Sequence, residues 1–215
     1  MPSVYLLRHS EPVLQRTRSQ LLQTDGLEWA GGQFVLADAL PEIAALAPDI
    51  VACDLRLPDS HAMRVALELN RLPVRPQLLL LTPTADDLQL FAALSAGANG
   101  FHVEAGGANG LADALQRLHA CRATLGPQHA RQALAAFGIE RSPLVTASPA
   151  AAAADASPAG RQVDQAGRHL LSLLAHGLLV DEVARLWQQE VAEIERRIWR
   201  LVRLLHVRSR ELQIV

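Results

Sequence analysis

Apolar positions in the first 125 residues follow two alternating rhythms. Short, nearly continuous runs, VYLLR (4–8), IVACD (50–54) and LLLLT (78–82), predict buried strands bounded by polar or turn residues. Weaker runs near LEWAG (27–31) and at GFHV (100–103) predict two more. Between them, over 12–23, 35–46, 60–71, 85–96 and 109–121, apolar residues recur every three or four positions. Leu111, Ala114, Leu115 and Leu118 show the pattern. This alternation predicts an α/β domain with a doubly wound, five-stranded parallel sheet. Its crossovers must be right-handed.

A further helix is predicted over 127–137, with Pro127 in its first turn. The stretch ERSPLVTASPAAAAADASPAG (140–160) has almost nothing to bury and reads as a flexible linker. From 163 the chain reads as helical to its end. HLLSLLAHGLLVDEVARLW predicts two helices broken at Gly177. A third starts near Glu190, with Val191, Ile194, Ile198, Leu201 and Leu205 on one stripe. A short middle helix before a longer one predicts a small all-α helix-turn-helix domain. The expected boundaries are a domain at 1–125, a helix and linker at 126–162, and the helical domain at 163–215.

Composition narrows the function. A formal net charge of -2 gives no global field favouring nucleic acid or acidic lipid. All 20 basic residues are Arg; the chain has no Lys. Cys53 and Cys121 lie far apart without metal-ligand or CxxC spacing, as expected of reduced cysteines. The start MPSVYLLRHSEP does not read as a signal peptide, and no apolar run reaches the roughly 18 residues of a membrane span. A cytoplasmic protein is expected. SAGANG and EAGGANG lack phosphate-loop spacing, and no nucleophile–base pair or metal cluster stands out, so an enzyme is not expected. His9, His61 and His102 read as packed or solvated rather than as ligands.

Asp54 raises the chemical question. It is a lone carboxylate at the end of a buried strand, in PDIVACDLRLPD. That segment, with LLLLT, SAGANGF and EPVLQRTRSQLL, resembles the receiver domain of response regulators. HLLSLLAHGLLVDEVARLW and LLHVRSREL resemble the LuxR/NarL-type helix-turn-helix domain that follows it, and from Glu182 to Arg210 the family spacing is kept without a gap. The resemblance implies a receiver (flavodoxin-like) fold and a phosphoryl-transfer site using Mg²⁺. It places the phosphoacceptor at Asp54 and the switch hydroxyl at Thr82. The family's acidic pair falls on His9 and Ser10, its Lys on Glu104 and its aromatic switch on Phe101. A carboxylate in place of that Lys would repel phosphate by roughly 4 kcal/mol at about 4 Å. Glu11 is the one candidate for a substitute Mg²⁺ ligand, but Asp54 is expected to be a retained carboxylate, with Arg8 or His9 pairing with Asp54 or Glu104, and no cofactor or metal is expected. Thr82 reads as a strand-end residue capping the next turn.

The resemblance also implies a recognition helix over 190–205 that contacts double-stranded DNA. Its Lys position is Glu195, flanked by Arg196 and Arg197, with Arg200, Arg203, Arg208 and Arg210 beyond. Glu190, Glu193 and Glu195 would face phosphates, and residues 163–215 hold eight Arg against seven carboxylates. Trp199, Val202 and Leu204 add apolar positions, expected as a self-association surface, with Trp199 alternatively folded back over a neighbouring helix. Two functions follow. One is an atypical response-regulator-like transcription factor, a homodimer acting without Asp phosphorylation. The alternative is an interaction module with weak or lost DNA binding, paired with another regulator or a histidine kinase.

Overall fold

A computed structural model of the chain describes residues 1–84, 88–104, 108–139 and 163–212. The predicted linker at 140–160, residues 85–87 of the fourth predicted helix and the Arg210 side chain lie outside the described residues. Contacts divide the chain into two compact units, Met1–Ala120 and Cys121–Val215. Among the described residues, no helix is long and apolar enough to cross a membrane.

The first unit alternates β1 (Ser3–Leu7), α1 (Glu11–Leu22), β2 (Glu28–Gln33), α2 (Leu36–Leu46), β3 (Ile50–Asp54), α3 (Ala62–Leu69), β4 (Gln77–Thr82), α4 (Leu88–Ala96), β5 (Gly100–Val103) and α5 (Ala108–His119). The five strands form one parallel sheet in the order β2-β1-β3-β4-β5. This is the predicted doubly wound architecture. The apolar runs are continuous because β1, β3 and β4 are interior strands with both faces covered. Val4, Leu6, Ile50, Ala52, Leu79 and Leu81 share one face with Leu14 and Leu21 of α1 and Leu111, Leu115 and Leu118 of α5. Alternate residues point the other way. There the buried Tyr5 hydroxyl donates to Glu42 Oε2 of α2 at 2.6 Å.

Local chemistry fixes the turns that carry the strand ends. Val35, at the N-cap of α2, offers no side-chain acceptor; Asp59 from the β3–α3 loop takes that role, accepting from Leu36 N–H at 3.0 Å and Ala37 N–H at 3.1 Å. Gly97 ends α4 at φ +136, and a Cβ there would lie 2.0 Å from Asn70 Nδ2. The first glycine of SAGANG thus serves a turn between α4 and β5.

The second unit contains α6 (Pro127–Ala136), α7 (Gln165–Ala175), α8 (Val180–Trp187) and α9 (Val191–Leu212). Asp164 caps α7 by accepting from Gly167 N–H at 2.7 Å. Gly177, at φ +100, follows the C-terminus of α7, where the sequence predicts the break. Glu182 Oε2 accepts from Leu179 N–H at 2.8 Å, closing the first turn of α8. Ile194, Ile198, Leu201 and Leu205 of α9 are buried with Leu170, Leu171, Leu174, Val183 and Trp187. Val191, predicted on the same stripe, is instead 42% exposed at the helix start. Helix α9 runs unbroken through LLHVRSREL.

Candidate functional site

Parallel strands present their C-terminal ends along one edge of the sheet, and five of the residues singled out above sit there. Arg8 and His9 follow β1, Asp54 ends β3, Thr82 ends β4 and Glu104 follows β5. The buried Arg8 spans this edge. Its two terminal guanidinium nitrogens donate to the two carboxylate oxygens of Glu104 at 2.9 and 3.0 Å, a bidentate pair. Its Nε lies 3.5 Å from Asp54 Oδ2. The same Asp54 oxygen accepts from His9 N–H at 2.6 Å and meets His9 Nδ1 at 2.7 Å. Burial pushes the Asp54 carboxyl above its ordinary range, opposed by the Arg8 charge and by the hydrogen bonds from His9. The Cys53 thiol, fully buried next to it, is also pushed up by burial.

The other crevice residues have structural partners. Thr82 Oγ1 donates to Thr84 O at 2.7 Å and lies 3.3 Å from Thr84 N, a cap on the turn after β4. Glu104 N–H donates to Thr82 O at 2.8 Å, which fixes Glu104 beside β4. Ser10 is the extended N-cap residue of α1, and Glu11 is exposed in its first turn. Phe101 is half-buried on β5, in register with Leu80. The histidines do not converge. His9 faces Asp54, His61 accepts from Arg64 N–H at 3.4 Å to cap α3, and half-buried His102 has its pKa lowered by desolvation. Among the described residues, no group of three or more His, Cys, Asp or Glu is placed to hold a metal ion.

Helix α9 carries the second predicted set. Arg196, Arg200 and Arg203 are exposed at spacings of four and three, forming one row. Arg196 is tied to Glu193 at 2.8 Å, Arg197 lies over the Trp187 ring, and Arg203 covers the Trp199 ring at 5.0 Å. Arg208 Nε donates to Ala136 O at 2.7 Å. Two expectations need correction. Glu195, read as a presented recognition residue, is only 4% exposed and pairs with Arg122 at 3.5 Å. Val202, expected to widen an exposed apolar surface, is 1% exposed, and Trp199 and Leu204 are half-buried. The cause is that α9 buries a wider strip than the single predicted stripe. Arg122 lies 73 positions before Glu195, so no local pattern in the sequence could pair them.

Comparison with known proteins decides the family. The chain is 31% identical over 186 residues to the DNA-binding transcriptional activator DevR/DosR of Mycobacterium tuberculosis, covering 86% of this chain and 79% of that protein. The chain is a response regulator of the LuxR/NarL type. No family model matches it. Solved structures agree at the level of fold. The RcsB response regulator of Salmonella typhimurium aligns over 100% of this chain and 99% of its own, at TM-score 0.52 and 16% identity. A LuxR-family two-component response regulator from Aurantimonas sp. SI85-9A1 aligns over 61% of this chain and 94% of its own, at TM-score 0.54 and 20% identity. In this response regulator the five-stranded parallel sheet matches the receiver fold, with an all-helical part after it.

Proposed function

We propose that this response regulator is a DNA-binding transcription regulator whose receiver works without conventional phosphorylation of Asp54. The family relationship, with a relative described as a DNA-binding transcriptional activator, supports the DNA half of this reading. So does the exposed row Arg196, Arg200 and Arg203, suited to phosphate contact.

One observation carries the second half: the Arg8 guanidinium fills the crevice between Asp54 and Glu104. Mg²⁺ requires near-octahedral oxygen ligation. Here Asp54 Oδ2 is taken by His9 and Arg8, both Glu104 oxygens are taken by Arg8, and His9 and Ser10 offer no carboxylate. The donor set does not fit the ion. Arg8 sets one positive charge between the two acids, so the crevice holds a cation of its own. Control then rests on expression level, a ligand or a partner, with a homodimer as the working assembly.

Incubation with acetyl phosphate and Mg²⁺, read by intact mass, tests this directly. No phosphoryl adduct is expected; an adduct on Asp54 ends the proposal. A gel shift on the gene's own promoter across a salt series tests the DNA half, with steeply salt-dependent binding expected. The buried Glu195 favours a second reading, an interaction module with weak DNA binding, and an absent shift would select it.

A further inference from the structure

We infer that residues 122–125 form a latch that closes the DNA-reading helix from within its own unit. The inference rests on the proposed DNA binding by α9. In helix-turn-helix docking the N-terminal residues of the second helix enter the major groove. Glu195 lies in that half of α9, and the chain segment before α6 is laid on it. Ala123 N–H donates to the Glu195 backbone carbonyl at 3.1 Å. Within a helix that carbonyl already accepts from the residue four positions on, so Ala123 approaches the helix backbone as a second donor. The Arg122 guanidinium meets the Glu195 carboxylate at 3.5 Å. Ala123 and Leu125 are themselves buried, at 6% and 4% exposure.

The segment continues into α6, whose Arg131 Nε donates to Ala175 O of α7 at 3.0 Å and whose Ala136 O accepts from Arg208 of α9. The latch itself meets α9 at Glu195, and the α6 that follows it is tied to the helical unit at two further places. A duplex cannot occupy the surface that residues 122–125 cover. DNA binding requires this irregular segment to lift while α7, α8 and α9 stay packed. Once lifted, it leaves the Glu195 carboxylate facing the groove, where it can accept from cytosine N4.

Arg122→Ala in the full chain tests the latch, because charge and latch predict opposite signs. Loss of a cation weakens phosphate attraction, whereas loss of the latch raises the competent population and tightens binding. With a labelled duplex of the gene's own promoter, Arg122→Ala is expected to bind about tenfold tighter than wild type, and Arg122→Lys, which keeps the pair, close to wild type. Equal or weaker binding by Arg122→Ala overturns the latch and leaves DNA binding standing. No binding by any of the three proteins overturns both. Hydrogen exchange on the wild-type chain removes dependence on the variant's folding. Amides of 121–126 are expected to exchange faster when the duplex is added, and unchanged protection overturns the latch.

Discussion

Each unit of this protein sets an arginine against a buried carboxylate at a position where its family relationship leads one to expect function, and the two pairs are built differently. Arg8, Asp54 and Glu104 all sit at the ends of strands in one sheet, and Arg8 is 2% exposed. Every partner is held by a ladder that neighbouring strands enforce. Arg122 instead comes from an irregular segment and keeps 30% of its side chain exposed. In the proposed reading the sheet-clamped pair stands in for phosphoryl chemistry, and the loop-borne pair opens for DNA. Burial of Glu195 and burial of Asp54 look alike by accessibility, yet what holds the arginine decides whether the site is locked or gated.

Stability measurements can break this comparison. Arg8→Ala leaves two carboxylates facing each other without their cation, and urea denaturation should show a loss of about 3 kcal/mol. Arg122→Ala should lose about 1 kcal/mol, because water screens its exposed side. Equal losses would erase the distinction. Glu104→Lys should lose about 2 kcal/mol by setting a second cation against Arg8, and the exchange Arg8→Glu with Glu104→Arg should recover most of it. If the exchange recovers nothing, the bidentate pair is not what the crevice needs.

Two helix caps sharpen the comparison as internal controls. Asp59→Ala, at the start of α2, and Asp164→Ala, at the start of α7, should each lose about 1 kcal/mol. Matching values would show that the arginine pairs, not a general difference between units, cause the contrast. The smallest effect concerns pH. Asp54 has its folded pKa raised above 3.8, so the folded state binds the extra proton. Its contribution to stability grows as pH falls from the raised value toward 3.8 and is lost on going back up. Measured against Asp54→Asn, wild type should gain stability over that window; the opposite slope would mean that Arg8 and His9 outweigh burial.

The strands and helices of the first unit are legible in the sequence because interior parallel strands must be continuously apolar. IVACD and LLLLT leave little alternative. Glu104 and Asp54 are legible as the two acids of one crevice, with Arg8 among the candidates to pair with them, since strand ends in a parallel sheet meet at one edge. The bidentate geometry is not legible, as side-chain reach depends on twist and register. The covering of Glu195 is invisible to pattern reading for a different reason. A polar residue in a helix is assigned to solvent by default, and only a contact from 73 positions away reverses that. Val202 fails for another reason: an apolar residue off the predicted stripe reads as surface, and the wider buried strip of α9 takes it in.

His206 stands where LLHVRSREL passes without a stop, and α9 extends over 22 residues. A helix of that length is a rod of about 33 Å. Tilting its front end by a few degrees swings its tail through ångströms, so a probe or partner clasping the far end would register engagement at the near one as leverage, with no intervening hinge to absorb it.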